Sequence, residues 1–293
     1  MQILFERVAF IGIGLIGSSM ARAMRRDGTV NTIVACARRP ETRETALRLK
    51  VVDAVTADYA EAVKNADLVV IATPVGTNEE IAKIIAPHLK PGCVVTDVGS
   101  VKQAVVDAIA PHLPKNVHFV PGHPIAGTEH SGPEAGFPEL FENRWTILTP
   151  LPNADPAAVE KVATLWRTMG AKVEFMKPDH HDMVLAITSH LPHLIAYTIV
   201  GTASDLADDL RQEVIKFSAS GFRDFTRIAA SDPVMWRDIF LNNKDAVLEI
   251  IQRFSEDLTA LQKAIRKGDG QTLEDLFTRT RAVRRGIIDA KQA

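Results

Sequence analysis

His123 stands between Gly122 and Pro124 in the run Pro121-Gly122-His123-Pro124-Ile125-Ala126-Gly127-Thr128-Glu129-His130-Ser131-Gly132. Three glycines and two prolines in so short a stretch predict an irregular loop of preset shape. Gly122 leaves room for a ligand, and Pro124 restricts His123 to extended geometry, which narrows the directions open to its ring. A neutral imidazole takes a proton near pH 7, so His123 is the candidate base. A second polar stretch, Asp97-Val98-Gly99-Ser100-Val101-Lys102, closes a strand-like run. Ser100 with Gln103 spells a capping box for the next helix, and the Ser100 hydroxyl is placed to orient His123. Lys102 reads either as an anion ligand or as a solvated first-turn lysine. Further on, His180-His181-Asp182 and Ser189-His190-Leu191-Pro192-His193 crowd imidazoles together. His190 and His193 can share a helix face. They read as substrate contacts rather than metal ligands, since no thiol pair or third ligand accompanies them. Arg223, Arg227 and Arg237 are three candidate carboxylate forks. Asp232 and Pro233 read as N-cap and first helical residue, which places Trp236 in that helix.

The elements around these residues follow from pattern. Val8-Ala9-Phe10-Ile11 is a buried-strand run, followed at once by Gly12-Ile13-Gly14-Leu15-Ile16-Gly17 and a helical pattern through Arg26 that Gly28 caps. A second strand run, 32–37, completes the start of a strand-helix-strand unit, the setting in which this glycine spacing signals a dinucleotide site. Gly12 permits the tight turn, Gly14 lets the backbone approach a pyrophosphate, and Gly17 lets the helix pack close. With Leu15 and Ile16 they form the cofactor-binding turn, with phosphates on the helix N-terminus. The place where a ribose-binding carboxylate normally stands is Ala37, followed by Arg38 and Arg39. Two guanidinium groups and no carboxylate favour NADP, with NAD as the lesser option. Further strands are predicted at 67–73, 93–98, 117–120, 145–148 and 172–176. A helix runs from Asp155 as N-cap to Met169, with Gly170 beyond. The alternation gives an α/β class: a doubly wound, mostly parallel sheet over 1–178, followed by an all-helical segment over 179–293 with turns near Ser220-Gly221 and Gly268-Asp269-Gly270.

Composition narrows the partners. The chain has 293 residues, 34 basic and 36 acidic, for a net charge of -2. That balance points away from nucleic acid and towards a small-molecule substrate. Cys36 and Cys93 lie in apolar strand runs and read as core residues in a reducing compartment. No signal-peptide layout opens the sequence, and the longest apolar run, 191–203, is too short for a bilayer span. A soluble cytoplasmic protein without membrane partners is expected.

Taken together, Gly12 to Ser19 (GIGLIGSS), Asp97 to Lys102 (DVGSVK), Gly122 to Glu129 (GHPIAGTE), Ser189 to His193 (SHLPH) and Gly221 to Ile239 make the chain resemble the prephenate/arogenate dehydrogenases of tyrosine biosynthesis, nearly end to end. The resemblance implies a Rossmann domain followed by a helical dimerisation domain, and a homodimer. It implies oxidative decarboxylation of a cyclohexadienol with hydride transfer to NAD(P)+. It matches His123 to the catalytic histidine, Ser100 to its supporting serine, and Arg227 to the arginine that grips a substrate carboxylate. Thr128, His193 and Trp236 match other substrate-pocket positions. Ala37 departs from the aspartate of NAD-using members. Other classes would fit the same outline: a Rossmann reductase of the 3-hydroxyacid dehydrogenase or imine reductase type, or a non-enzymatic NADP-sensing dimer. The reductase reading leaves GHPIAGTE and SHLPH without a role.

Overall fold

The computed structural model describes residues 3–205, 213, 216–217 and 219–289. By compactness the chain divides into Met1–Lys244 and Asp245–Ala293.

In the first unit, β1 (Phe5–Ile11), β2 (Val30–Cys36), β3 (Ala54–Thr56), β4 (Leu68–Ile71), β5 (Val94–Asp97) and β6 (His118–Val120) form one sheet in the order β3-β2-β1-β4-β5-β6. Every neighbouring pair is parallel. The crossovers include α1 (Leu15–Arg26), α2 (Pro40–Arg48), α4 (Asn78–Ile85) and α5 (Gln103–Ile109), with the short α3 (Tyr59–Val63) before β4. Residues of β1 alternate between two cores. Val8 and Phe10 pack with Met20 and Met24 of α1, while Ala9 and Ile11 join Ile81, Ile85 and Val105 of α4 and α5. Burial on both faces is what a continuous apolar strand requires, and it produces the doubly wound sheet expected from sequence. The strand order reverses between β1 and β4. There Ile11 pairs with Ile71, and Ile71 with Asp97, so the carboxyl ends line up beside a crevice.

A second sheet has the order β7-β8-β9, with β7 (Gly122–Pro124) antiparallel to β8 (Trp145–Leu148), and β8 parallel to β9 (Lys172–Phe175). This corrects the expectation of an irregular loop over 121–132. Pro121 and 125–132 lack a regular element, whereas His123 sits in a strand opposite Ile147. The proline that extends His123 also explains the strand. β7 is an edge, where a residue without an N–H costs no ladder bond. Helix α6 (Pro156–Thr168) is capped by Asp155, which accepts from the Ala157 and Ala158 N–H groups. Trp166 on α6 meets Phe141 edge to face at 5.1 Å inside the core.

Beyond β9 the described residues are helical. Helix α7 (Pro178–Leu185), a π-helical turn at Ala186–His190 and α8 (Leu191–Ser204) run on without a break. Pro192 accounts for the wide turn, because its ring displaces the carbonyl four residues back and removes a bond to it. Joined in this way, Pro178–Ser204 is 27 residues long and apolar enough to cross a membrane by length and composition, which the apolar run read alone did not suggest. Its inward side nevertheless carries the buried polar side chains of His181, Asp182 and His190. Ile187, Ile199 and Val200 lie exposed on it. Ser220-Gly221, expected as a turn, opens α9 (Ser220–Thr226). Helix α10 (Pro233–Asn242) is capped by Asp232, which accepts from the Met235 N–H at 2.8 Å.

The second unit holds most of α11 (Lys244–Lys267) and α12 (Gly270–Asp289). They are joined at Gly268, which turns with φ +67°. Residues 206–212, 214–215, 218 and 290–293 of the expected helical segment lie outside the described residues.

Candidate active site

The glycine turn after β1 is as tight as its spacing demands. Gly12 has φ +93°, and a Cβ there would meet the Ala72 carbonyl oxygen at 2.6 Å. A Cβ on Gly17 would stand 2.7 Å from the Gly12 oxygen, so α1 seats directly on the turn. At Gly14 the space is open. Gly14 is also the N-cap of α1 and offers no side-chain acceptor, which leaves the first-turn N–H groups of Leu15, Ile16 and Gly17 to an anion. These residues fit a dinucleotide pyrophosphate. At the end of β2, Ala37 is buried while Arg38 and Arg39 are exposed. A third arginine that the sequence reading passed over, Arg43, donates to the Ala37 and Arg38 carbonyls at 2.7 and 2.8 Å and fixes the turn that presents the pair.

At the end of β5 the structure overturns both readings of Lys102. Its side chain is 0% exposed, ion-paired with Asp97, and donates to the Gly122 carbonyl at 2.6 Å. Asp97 also accepts the Gly99 N–H at 2.7 Å and the Gly122 N–H at 3.1 Å. This pair ties β5 to β7 and so fixes where His123 begins. The expected Ser100/Gln103 capping box does not form. Helix α5 takes its cap through space: Asp182 accepts the Lys102 N–H at 2.7 Å and the Gln103 N–H at 2.9 Å. A distant carboxylate satisfies the free N–H groups and favours the positive end of the helix.

His123 is buried, and its partner is His181, with Nδ1 to Nε2 at 2.8 Å. His181 Nδ1 in turn lies 2.8 Å from Asp182 Oδ1. Among the described residues no hydrogen bond joins Ser100 to His123, so the support expected from the serine is absent in this arrangement. Burial pulls the His123 pKa well below the usual 6.5, helped by the neighbouring His181, Lys102 and His190. The imidazole is therefore neutral at pH 7 and holds a lone pair. Asn243 completes this layer, donating to the Asp182 carbonyl at 2.9 Å and meeting His190 Nδ1 at 3.0 Å.

A second group adjoins the first. His193 stacks on Trp236 with ring centroids 3.6 Å apart, and its Nδ1 bonds the Ser189 carbonyl at 2.8 Å. His190 meets the same indole edge-on at 6.1 Å. Among the described residues the buried Trp236 Nε1 has no hydrogen-bond partner. Of the three arginines, Arg223 and Arg237 face their own neighbours, Asp224 and Asp238. Arg227 instead reaches Glu129 in the loop after β7. Thr128 accepts the His130 N–H at 3.2 Å within that loop. Gly76, after β4, is held close to α10, since a Cβ on it would stand 2.9 Å from Asp238 Oδ2.

Comparison with known proteins identifies the family. The nucleotide-binding domain family of prephenate dehydrogenase matches residues 20–175, and the dimerization domain family of prephenate dehydrogenase matches residues 177–279. The chain belongs to the prephenate dehydrogenase family. Within that family it is 41% identical to a cyclohexadienyl dehydrogenase of Zymomonas mobilis, over 96% of this chain and 95% of the relative. It superposes with TM-score 0.89 on the prephenate dehydrogenase of A. aeolicus in complex with hydroxyphenyl propionate and NAD+, at 36% identity over 96% of this chain and 98% of that one. The Synechocystis arogenate dehydrogenase superposes with TM-score 0.79 at 28% identity, over 95% and 98%.

His181, Asp182, Asp97 and Asn243 are the members of the site that sequence reasoning did not assign. The His180-His181-Asp182 cluster and the Asp97–Lys102 stretch were the visible signals, and Asn243 had none.

Proposed function

We propose that this protein catalyses the oxidative decarboxylation of prephenate, arogenate or both, with hydride transfer to NAD(P)+. The observation that carries the reading is a neutral, buried His123 beside the nucleotide-binding edge of the sheet, with a His193–Trp236 platform and with Arg227 ion-paired to Glu129 in the loop after β7. The relatives bearing those activities resemble the chain over nearly its whole length.

The glycine turn and the first-turn N–H groups of α1 would hold the dinucleotide pyrophosphate, and the oxidised nicotinamide would supply the hydride acceptor. His123 accepts the proton of the ring hydroxyl as the hydride leaves the same carbon. The oxygen becomes a carbonyl, the ring carboxylate departs as carbon dioxide, and the bonding pair it leaves behind aromatises the ring. The phenol oxygen then recovers the proton. Arg227 binds a substrate carboxylate. His193 and Trp236 form one wall, where the unpartnered Trp236 Nε1–H suits a ligand that offers an acceptor. Thr128 lies on the loop that Glu129 and Arg227 join, and Ser100 lies at the start of α5. Turnover of each substrate followed by NAD(P)H formation tests the reading. No turnover of either would end it, and would favour the hydroxyacid or imine reductase alternatives.

The finer cofactor reading is NADP in preference to NAD, supported by Ala37 and the exposed Arg38 and Arg39. Steady-state kinetics with each cofactor decides it, and Ala37→Asp is expected to shift preference towards NAD. The homodimer reading is supported by the matched dimerization domain and by the apolar side of Pro178–Ser204. Light scattering that gave a monomer at micromolar concentration would refute it.

A further inference from the structure

We infer that His181 and Asp182 form a positioning relay: Asp182 orients His181, and His181 holds His123 in the tautomer whose Nε2 is free to take the substrate proton. The inference deepens the proposed function and rests on its reading of His123 as the base.

The order of hydrogens follows from the donors. Asp182 Oδ1 already accepts the Lys102 N–H, and Oδ2 accepts the Gln103 N–H. An acceptor so placed meets His181 Nδ1 at 2.8 Å only if that nitrogen carries hydrogen. His181 is 0% exposed and near the Lys102 ammonium, and both disfavour a second proton. Neutral His181 therefore presents a lone pair at Nε2. His123 Nδ1, 2.8 Å away, must donate to it. That leaves the lone pair of His123 on Nε2.

The groups facing His123 are His181 from α7, Lys102 with its partner Asp97 at the β5–α5 junction, and His190 from the π turn. Of these, Lys102 opposes a positive charge on His123. When Nε2 takes the proton, the Nδ1–H bond to His181 strengthens, and the Asp182 carboxylate lies one imidazole away to offset the new charge. The same carboxylate caps α5, so the tautomer of a β7 residue is tied to the seating of a helix on the sheet. Asp182 touches neither substrate nor cofactor in this scheme.

Two measurements test the relay. In the intact wild-type protein, ¹⁵N NMR of the histidine rings, with His123 assigned by difference against His123→Asn, should show hydrogen on Nδ1 and a bare Nε2. Hydrogen on Nε2 would overturn the proposal, and this readout requires no variant at His181. The second is kinetic. His181→Leu removes the acceptor and should lower kcat by roughly 10²- to 10⁴-fold with KM within about threefold. His181→Gln can still accept the Nδ1–H through its amide oxygen and should recover at least about tenfold of that loss, since the tautomer survives while the link to Asp182 does not. Equal loss in both variants, or a change in KM alone, would mean a merely structural histidine. If His181→Leu kept near-normal kcat while His123→Asn was inactive, the relay would fail and the base reading would stand. If both stayed active, the base reading itself would fall.

Discussion

Arg227 and Glu129, 98 residues apart in sequence, meet at 3.0 Å with side chains 59% and 32% exposed. An ion pair that open to water is screened and weak, so a substrate carboxylate can displace it. The two residues belong to opposite sides of the site: the loop after β7 and the turn after α9.

Because Glu129 competes for the guanidinium, Glu129→Gln should lower KM by up to about fivefold with little change in kcat. Arg227→Ala should raise KM far more than it lowers kcat, since a contact made equally in ground and transition states does not speed the chemistry. Steady-state kinetics on both variants checks the pair, and a raised KM in Glu129→Gln would contradict it.

His123→Asn should reduce kcat by roughly 10²- to 10⁴-fold. Since burial holds the wild-type imidazole well below 6.5, the acid limb of the kcat/KM profile should lie below that value rather than at the ordinary histidine range. An acid limb at or above it would show that His123 is not the group being titrated, or that it is not buried in solution.

Lys102 and Asp97 form a charge pair closed to solvent. Removing one partner strands the other, so Lys102→Met or Asp97→Asn should each cost about 3–5 kcal/mol in urea denaturation. The double variant should recover part of that loss. Additive losses would mean the two residues act independently.

The protein should lose stability on acidification in a window set by its buried histidines. Burial lowers the pKa of His123, His181 and His193, and takes His190 to about 4. Between the unfolded value of 6.5 and those folded values the unfolded chain binds more protons, so stability is full above 6.5 and falls as pH drops through the window. His190 alone contributes on the order of 3 kcal/mol by the lower end. Denaturant midpoints across this range measure it, and a flat profile would place these rings in water.

Most strands of the sheet were legible because they depend on neighbours in sequence: apolar runs, the glycine spacing after β1, and the caps Asp155 and Asp232 all act within a few residues, whereas the three-residue edge strand β3 is too short to carry a pattern and was missed. His123 was singled out by its two flanking residues. Lys102 was misread because a lysine in a first helical turn is ordinarily solvated, and what buries it is a strand end and the Gly122 carbonyl twenty positions on. The cap of α5 comes from Asp182, some eighty residues downstream, a pairing that no local pattern encodes. Ser100 and Gln103 spelled a cap that the chain did not need once that carboxylate was present.

The π turn at Ala186–His190 is, in effect, a one-residue insertion preserved in a helix. In unbroken α geometry His181 and His190, nine residues apart, would point about 180° from each other. The wider turn takes up part of that angle, and both rings are buried in the same unit. Losing one residue between them would leave every named side chain in the sequence and yet rotate His193 relative to His181. A single-residue gap in this helix is therefore a change of site geometry, of a kind that a comparison of residue identities alone would score as harmless.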